Sequence, residues 1–140
     1  MADWACFALG SAVFAGLTAI LAKVGVEGIP STLATLIRTV VVFLFVALLI
    51  GLRREWPQPG QLHPRSVLFL VLSGLTTGLS WLCYYRALQR GPVSLVAPLD
   101  KLSLVVAVLL GVLVLGERLT IAQWVGASLM AAGALAFVFS

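Results

Sequence analysis

Five long apolar runs constrain the fold of this chain more than any other feature of its sequence. They cover about residues 4–25, 32–52, 66–88, 92–115 and 119–139, and each is at or near the roughly 20 residues that a helix needs to cross a bilayer. Hydrophobic residues make up 61% of the chain and charged residues only 10%, whereas a soluble domain is about 25% charged. The sequence therefore predicts an all-α integral membrane protein with five transmembrane helices in one domain, residues 1–140.

Short breaks of polar residues, glycine and proline separate the runs. The segment "KVGVEGIPS" ends the first run, and "REWPQPGQLHPR" separates the second from the third; both carry residues that stop helices. Thr120 and Gln123 have the spacing of a capping box at the start of the last run. The first run begins "MADWACFALG", without a basic segment, so we interpret it as a retained helix and not as a cleaved signal peptide.

The fourth run contains an acidic and a basic residue side by side, in "VAPLDKLSLVV". Placing a charged side chain at the centre of a membrane helix costs at least about 2.5 to 3.5 kcal/mol, so Asp100 and Lys101 need a structural or functional reason. Pro98 lacks the N–H that would bond to the carbonyl of Ser94, which predicts a kink or local unwinding.

Small and polar side chains follow Asp100 at helical spacing along the same run. They are Ser103, Ala107 and Gly111, and together with Asp100 they form a narrow stripe on one face of a helix. A polar stripe of this kind is expected to face protein or water and not lipid.

Charged residues of four different runs are expected in the same half of the membrane. Lys23 closes the first run, Arg38 lies about 10 Å into the second, Arg86 closes the third, and Asp100 lies about 12 Å into the fourth. Because successive helices alternate in direction, these positions share one side, where basic residues are in excess. We interpret them as lining or gating a solute path; the alternative is a purely structural set of ion pairs. The candidate gate comprises Asp100, Lys101, Arg38, Arg86, Lys23, Ser103 and Pro98.

The third run, "SGLTTGLSWLCYYRAL", gathers polar and aromatic residues on one side of a helix. Thr77, Trp81, Tyr84 and Tyr85 are candidate substrate contacts, since aromatic rings near Arg86 can bind a planar or cationic group by stacking or cation–π contact. The alternative interpretation is a small-residue helix-packing face followed by an aromatic belt at the membrane interface.

Several functional classes lack the residues that they require. We find no glycine-rich phosphate loop, no pair of carboxylates poised for hydrolysis and no nucleophile with a partnered base. His63 has no neighbouring ligand types, and we interpret the two cysteines as reduced packing residues. We therefore expect no enzyme activity, no metal and no cofactor. The net charge of +4 reflects scarce acidic residues, and without an aqueous basic face we expect no nucleic-acid binding.

Basic residues in the flanking segments give almost no orientation signal. With five spans the chain ends lie on opposite faces, and basic flanks favour the cytoplasmic face. On the N-terminal side lie four: Arg53, Arg54, Arg65 and Arg118. On the other side lie three: Lys23, Arg86 and Arg90. This near balance is what dual topology predicts, with copies inserted in both orientations.

The segments "KVGVEGIPSTLATLIRT", "SGLTTGLSWLCYYRALQRGPVSLVAPLDKLS" and "LGERLT" occur in order along the chain. They resemble the bacterial and archaeal single-repeat branch of the EamA-type transporters, in the drug/metabolite transporter superfamily. The resemblance covers one EamA-type repeat and nearly the whole chain. It implies a multi-pass transporter of the bacterial or archaeal inner membrane, moving a small metabolite or drug-like solute, with substrates of this branch largely unassigned.

Larger relatives in that superfamily carry two such repeats in opposite orientation around a central cavity. A single repeat is therefore expected to act as a homodimer in the lipid bilayer, antiparallel if it mimics the inverted repeats. In this alternating-access hypothesis, Asp100 pairs with Arg38 or Arg86 when the cavity is closed on the side of the membrane where Asp100 lies. Small multidrug resistance transporters use a first-span glutamate, which this sequence does not have. The alternative hypothesis is a non-transporting structural subunit of a larger membrane assembly.

Overall fold

The computed structural model of the chain describes residues 3–56, 60 and 62–139, and within them the structure is helical. The six helices are α1 (Asp3–Gly25), α2 (Ser31–Arg53), α3 (Pro64–Arg90), α4 (Val93–Asp100), α5 (Leu102–Leu115) and α6 (Ile121–Phe139). Helices α4 and α5 lie within one span, Val93–Leu115, so the described residues contain five helices long and apolar enough to cross a membrane. The predicted all-α fold with five transmembrane helices is confirmed.

Local sequence signals explain several helix ends. Thr120 and Gln123 form the predicted capping box: the Thr120 N–H donates to Gln123 Oε1 at 2.7 Å, and the Gln123 N–H donates to Thr120 Oγ1 at 3.3 Å. Helix α5 ends at Leu115, and the next residue, Gly116, has a φ of 71°, a left-handed conformation that suits glycine. In the predicted loop between α2 and α3, residues 57–59 and 61 lie outside the described part of the chain.

The chain divides into two compact units. The central unit is Leu21–Gln89, and the terminal unit combines Met1–Ile20 with Arg90–Ser140. In the terminal unit, α6 packs against both α4 and α5. In the central unit, α3 is hydrogen-bonded to Lys23 near the end of α1, to the connection that follows α1 and to the first half of α2.

Most large apolar side chains in the described residues face outward from the single chain. Phe14 is 71% exposed, Phe43 68% and Leu113 79%, whereas Val26, Tyr85 and Leu88 are buried in the central unit. Exposed apolar area on this scale would drive aggregation in water. Lipid or further protein must therefore cover these helices, as their length and composition require.

Candidate transport site

Arg38 lies at the centre of a cluster of side chains in the central unit. It is seven residues, or about 10 Å, along α2. Its Nη1 donates a hydrogen bond to Tyr85 Oη at 2.9 Å, and its guanidinium carbon lies 4.1 Å from the centroid of the Trp81 ring. Trp81 and Tyr85 are four residues apart on α3 and therefore share a helix face. The structure thus joins a candidate gate residue to two of the candidate substrate contacts.

The burial of Tyr85 distinguishes it from an aromatic residue at a membrane interface. Its side chain is 3% exposed, and its ring centroid lies 6.3 Å from that of Tyr84, with the planes tilted by 45°. An interfacial belt would leave the ring at the lipid headgroups. Tyr85 instead turns its hydroxyl to Arg38, and this contact holds the guanidinium in place.

Hydrogen bonds from side chains to backbone carbonyls link the end of α3 to the end of α1 and to the connection between α1 and α2. Lys23 Nζ donates to the carbonyl of Leu88 at 2.6 Å, and Gln89 Nε2 donates to the carbonyls of Ile29 at 2.6 Å and Val26 at 3.3 Å. The last carbonyls of a helix have no partner within the helix. A lysine beside them is also favoured by the helix dipole. Lys23 therefore stabilises the end of α3.

Two adjacent cavities open in the central unit. One has a volume of about 190 Å³ and is lined by Ala22, Gly25, Val26, Ile29, Ala34, Ile37, Arg38 and Tyr85. The other has a volume of about 460 Å³ and is lined by Lys23, Val26, Glu27, Gly28, Ile29 and Gln89. Because Val26 and Ile29 belong to both linings, these residues separate a mostly apolar space beside Arg38 from a more polar one.

The fourth span is interrupted at Lys101, in the terminal unit. Its backbone N–H donates to the carbonyl of Pro98 at 3.1 Å, and the N–H of Leu104 donates to the carbonyl of Lys101 at 3.0 Å. Both bonds bridge three residues instead of four, as in a 3₁₀ turn. The local change predicted near Pro98 is therefore present, displaced toward Lys101, while Pro98 itself stays inside α4.

An ion pair marks this interruption. Lys101 Nζ lies 3.3 Å from Asp100 Oδ2, and the two side chains are 52% and 33% exposed respectively. Asp100 therefore has a charged partner within its own unit. Such neighbouring, partly exposed pairs contribute little to stability in water. The change of backbone hydrogen bonding at Lys101 therefore affects the conformation of the fourth span more than the ion pair does.

The remaining candidate residues have ordinary surroundings. Thr77 Oγ1 donates to the carbonyl of Ser73 at 2.8 Å, within its own helix, and Ser103 and Arg86 are exposed. Pro98, Asp100, Lys101 and Ser103 belong to the terminal unit, whereas Lys23, Arg38 and Arg86 belong to the central unit. The pairing of Asp100 with Arg38 or Arg86 stays a prediction.

Sequence reasoning missed Gln89. Its carboxamide contacts two carbonyls of the α1–α2 connection, and the only signal was a polar residue in the turn "ALQRGP" at the end of a span. Among the described residues, no group of three or more His, Cys, Asp or Glu side chains is placed to hold a metal ion.

A multi-pass helical membrane protein with charged and aromatic side chains inside its spans is typical of transporters. The EamA-like transporter family matches residues 3–139, and the chain belongs to this family. The resemblance inferred from the sequence motifs is thereby confirmed. The chain is a multi-pass membrane protein of a transporter family, and transport, not enzymatic catalysis, is the activity that this family indicates.

Similar proteins are bacterial. The "Uncharacterized transporter in cobO 3'region" of Sinorhizobium sp is 52% identical over 133 residues, which cover 95% of this chain and 94% of that protein. "Protein RarD" of Salmonella typhi is 30% identical over 95 residues, which cover 66% of this chain but only 32% of that protein. The same values hold for "Protein RarD" of Salmonella typhimurium. No solved structure matches the chain.

Proposed function

We propose that the protein is a secondary transporter that moves a small metabolite or drug-like solute across the inner membrane by alternating access, as a homodimer. The observation that carries this proposal is the interruption of the fourth span beside Asp100 and Lys101. Transporters place binding sites and gates at broken membrane helices, where irregular backbone lines a cavity instead of facing lipid.

The proposed gate is an exchange of partners by Asp100. In one state its carboxylate pairs with Lys101, as it does in this structure. In the closed state it pairs with Arg38 or Arg86, which the alternating helix directions assign to the same half of the membrane. The 3₁₀ turn at Lys101 supplies the hinge, because it is held by only a few short-range backbone bonds. The assignment of Asp100, Arg38 and Arg86 to one half of the membrane follows from the order of the spans along the sequence.

The size of a relative supports a two-copy transporter. Ninety-five residues are 32% of the Salmonella typhi RarD protein, so that protein has about 300 residues, a little over twice the 140 of this chain. Two copies of the present chain have about the same total length. The balanced basic residues, four against three, favour insertion in both orientations, as an inverted pair requires.

Labelling of α5 separates a transporter from a structural subunit. In a protein with Cys6 and Cys83 replaced by alanine, we expect Ser103→Cys and Ala107→Cys to react with a membrane-impermeant thiol reagent, because the stripe that they occupy faces a water-filled path. Leu109→Cys is the matched control: it lies two residues beyond Ala107 on the opposite face of α5, where lipid excludes the reagent.

The contrary result supports the second candidate function, a non-transporting structural subunit. The pairing of Asp100 with Lys101 inside one unit is the observation that favours it, since an internally satisfied ion pair needs no gating role. Absence of reaction at both Ser103→Cys and Ala107→Cys, with reaction at a loop cysteine introduced at His63, would overturn the transport proposal.

A further inference from the structure

The contacts of Arg38 leave its hydrogen-bonding edge available. The guanidinium carbon lies over the Trp81 ring, 4.1 Å from its centroid, and the group carries five N–H donors in one plane. Within the described residues, one of these donors is used in a side-chain hydrogen bond, to Tyr85 Oη. The cation–π contact and this hydrogen bond hold the group while its other donors are left for a ligand, and the planar array of guanidinium donors matches a carboxylate.

The 190 Å³ cavity in contact with this arginine is otherwise lined by small or apolar residues. Ala22, Val26, Ala34 and Ile37 contribute side chains without charge, and Tyr85 is buried. An apolar protein cavity of about 150 Å³ holds a molecule of benzene. The space therefore suits a compact apolar body of about that size carrying one anionic group.

The charges around the cavity select against a cation. Arg38 is the charged residue in the cavity lining, and it already occupies one face of the Trp81 ring. Lys23 lines the neighbouring cavity and donates to the Leu88 carbonyl. The acidic residue there, Glu27, lies in that neighbouring lining and not in the lining that contains Arg38.

We propose that the cavity beside Arg38 binds a small organic monocarboxylate with a compact apolar body, its carboxylate paired to the guanidinium that Trp81 and Tyr85 hold in place. This inference rests on the proposed transport function and names the class of solute. Trp81 and Tyr85 are then positioning residues that act through Arg38, and the apolar walls set the size of solute accepted.

Equilibrium binding of radiolabelled benzoate to the protein in lipid nanodiscs tests this site. We expect the wild-type protein to bind benzoate at least about tenfold more tightly than benzamide, which has the same size but no charge. Arg38→Gln should remove that preference, and Arg38→Lys should retain part of it. Arg54→Gln is the matched control, because Arg54 directly follows α2 and does not line the cavity.

A second variant guards against misfolding of the arginine substitutions. Ala34→Leu keeps Arg38 but fills part of the cavity, so it should weaken benzoate binding while acetate still competes. The proposal is overturned if the wild-type protein does not prefer benzoate to benzamide, or if Arg38→Gln binds benzoate as the wild type does. If the binding test fails, the cysteine-labelling test of α5 can still support transport. If α5 stays unlabelled while benzoate binds at Arg38, the transport proposal is refuted and the anion-binding site is retained.

Discussion

Substitution of Asp100 by asparagine is expected to reduce transport to background while leaving membrane insertion intact. Asparagine has nearly the same shape as aspartate but no charge, so it cannot form the ion pair with Lys101 or the proposed pair with an arginine in the closed state. Proteoliposome uptake of radiolabelled benzenesulfonate, a permanently charged analogue of benzoate that does not cross lipid unaided, is the measurement. Uptake should fall at least about tenfold, since a hydrogen bond between charged groups, such as the proposed closed-state pair with an arginine, is worth about 1.5 to 3 kcal/mol.

Two further variants control for this substitution. Asp100→Glu keeps the carboxylate one methylene farther out and should retain partial uptake. Glu55→Gln removes an acidic residue whose side chain is 62% exposed, outside the candidate gate and the cavity linings, and should transport normally. Uptake by Asp100→Asn at the wild-type rate, with equal amounts of protein in the liposomes, would show that Asp100 has no gating role.

Variants with biased orientation are expected to be inactive singly and active together. Glu55→Lys with Arg90→Gln changes the count of basic flanking residues from four against three to five against two; Arg53→Gln, Arg65→Gln and Arg118→Gln together change it to one against three. Opposite orientations should result, because basic flanks favour the cytoplasmic face. The exposed Arg53–Glu55 pair, 3.8 Å apart, contributes little to stability, so folding should be unaffected.

Benzenesulfonate uptake by membrane vesicles from cells that express one variant, or both, measures this complementation. Only co-expression supplies an inverted pair, and uptake should then return to a large fraction of the wild-type rate. Full uptake by either variant alone, once its orientation is shown to be uniform, would mean that a parallel assembly or a single chain suffices.

The spans could be predicted from the sequence because the bilayer leaves few choices. A membrane helix must satisfy its own backbone and present apolar side chains over about 20 residues, so hydropathy alone locates five of them. Local chemistry identified two further features: the capping box at Thr120 and Gln123, and the disturbance near Pro98. That disturbance lies at Lys101 because Pro98 remains helical and the bonds after it shorten to three-residue spacing.

The candidate site was less predictable, because it depends on how each helix is rotated about its axis. The sequence assigned Arg38 and the α3 aromatics to one half of the membrane, but not to contact with each other. The sequence predicts Trp81 and Tyr85 as contacts for a planar or cationic solute; in the structure they contact Arg38. The two hydrogen bonds of Gln89 depend on the path of the α1–α2 connection, which has no periodic signal.

The orientation of the chain in the membrane tests the central claim, a transporter made of two inverted copies, most directly. A single cysteine at His63, in the α2–α3 connection, would be labelled from outside intact cells with an impermeant reagent, alongside a reporter fused after the last residue. Inverted pairs predict that both positions are found on both sides in comparable amounts. If every chain points the same way, the antiparallel dimer is excluded, and the charged residues of the spans need a parallel assembly, a different partner or a structural explanation.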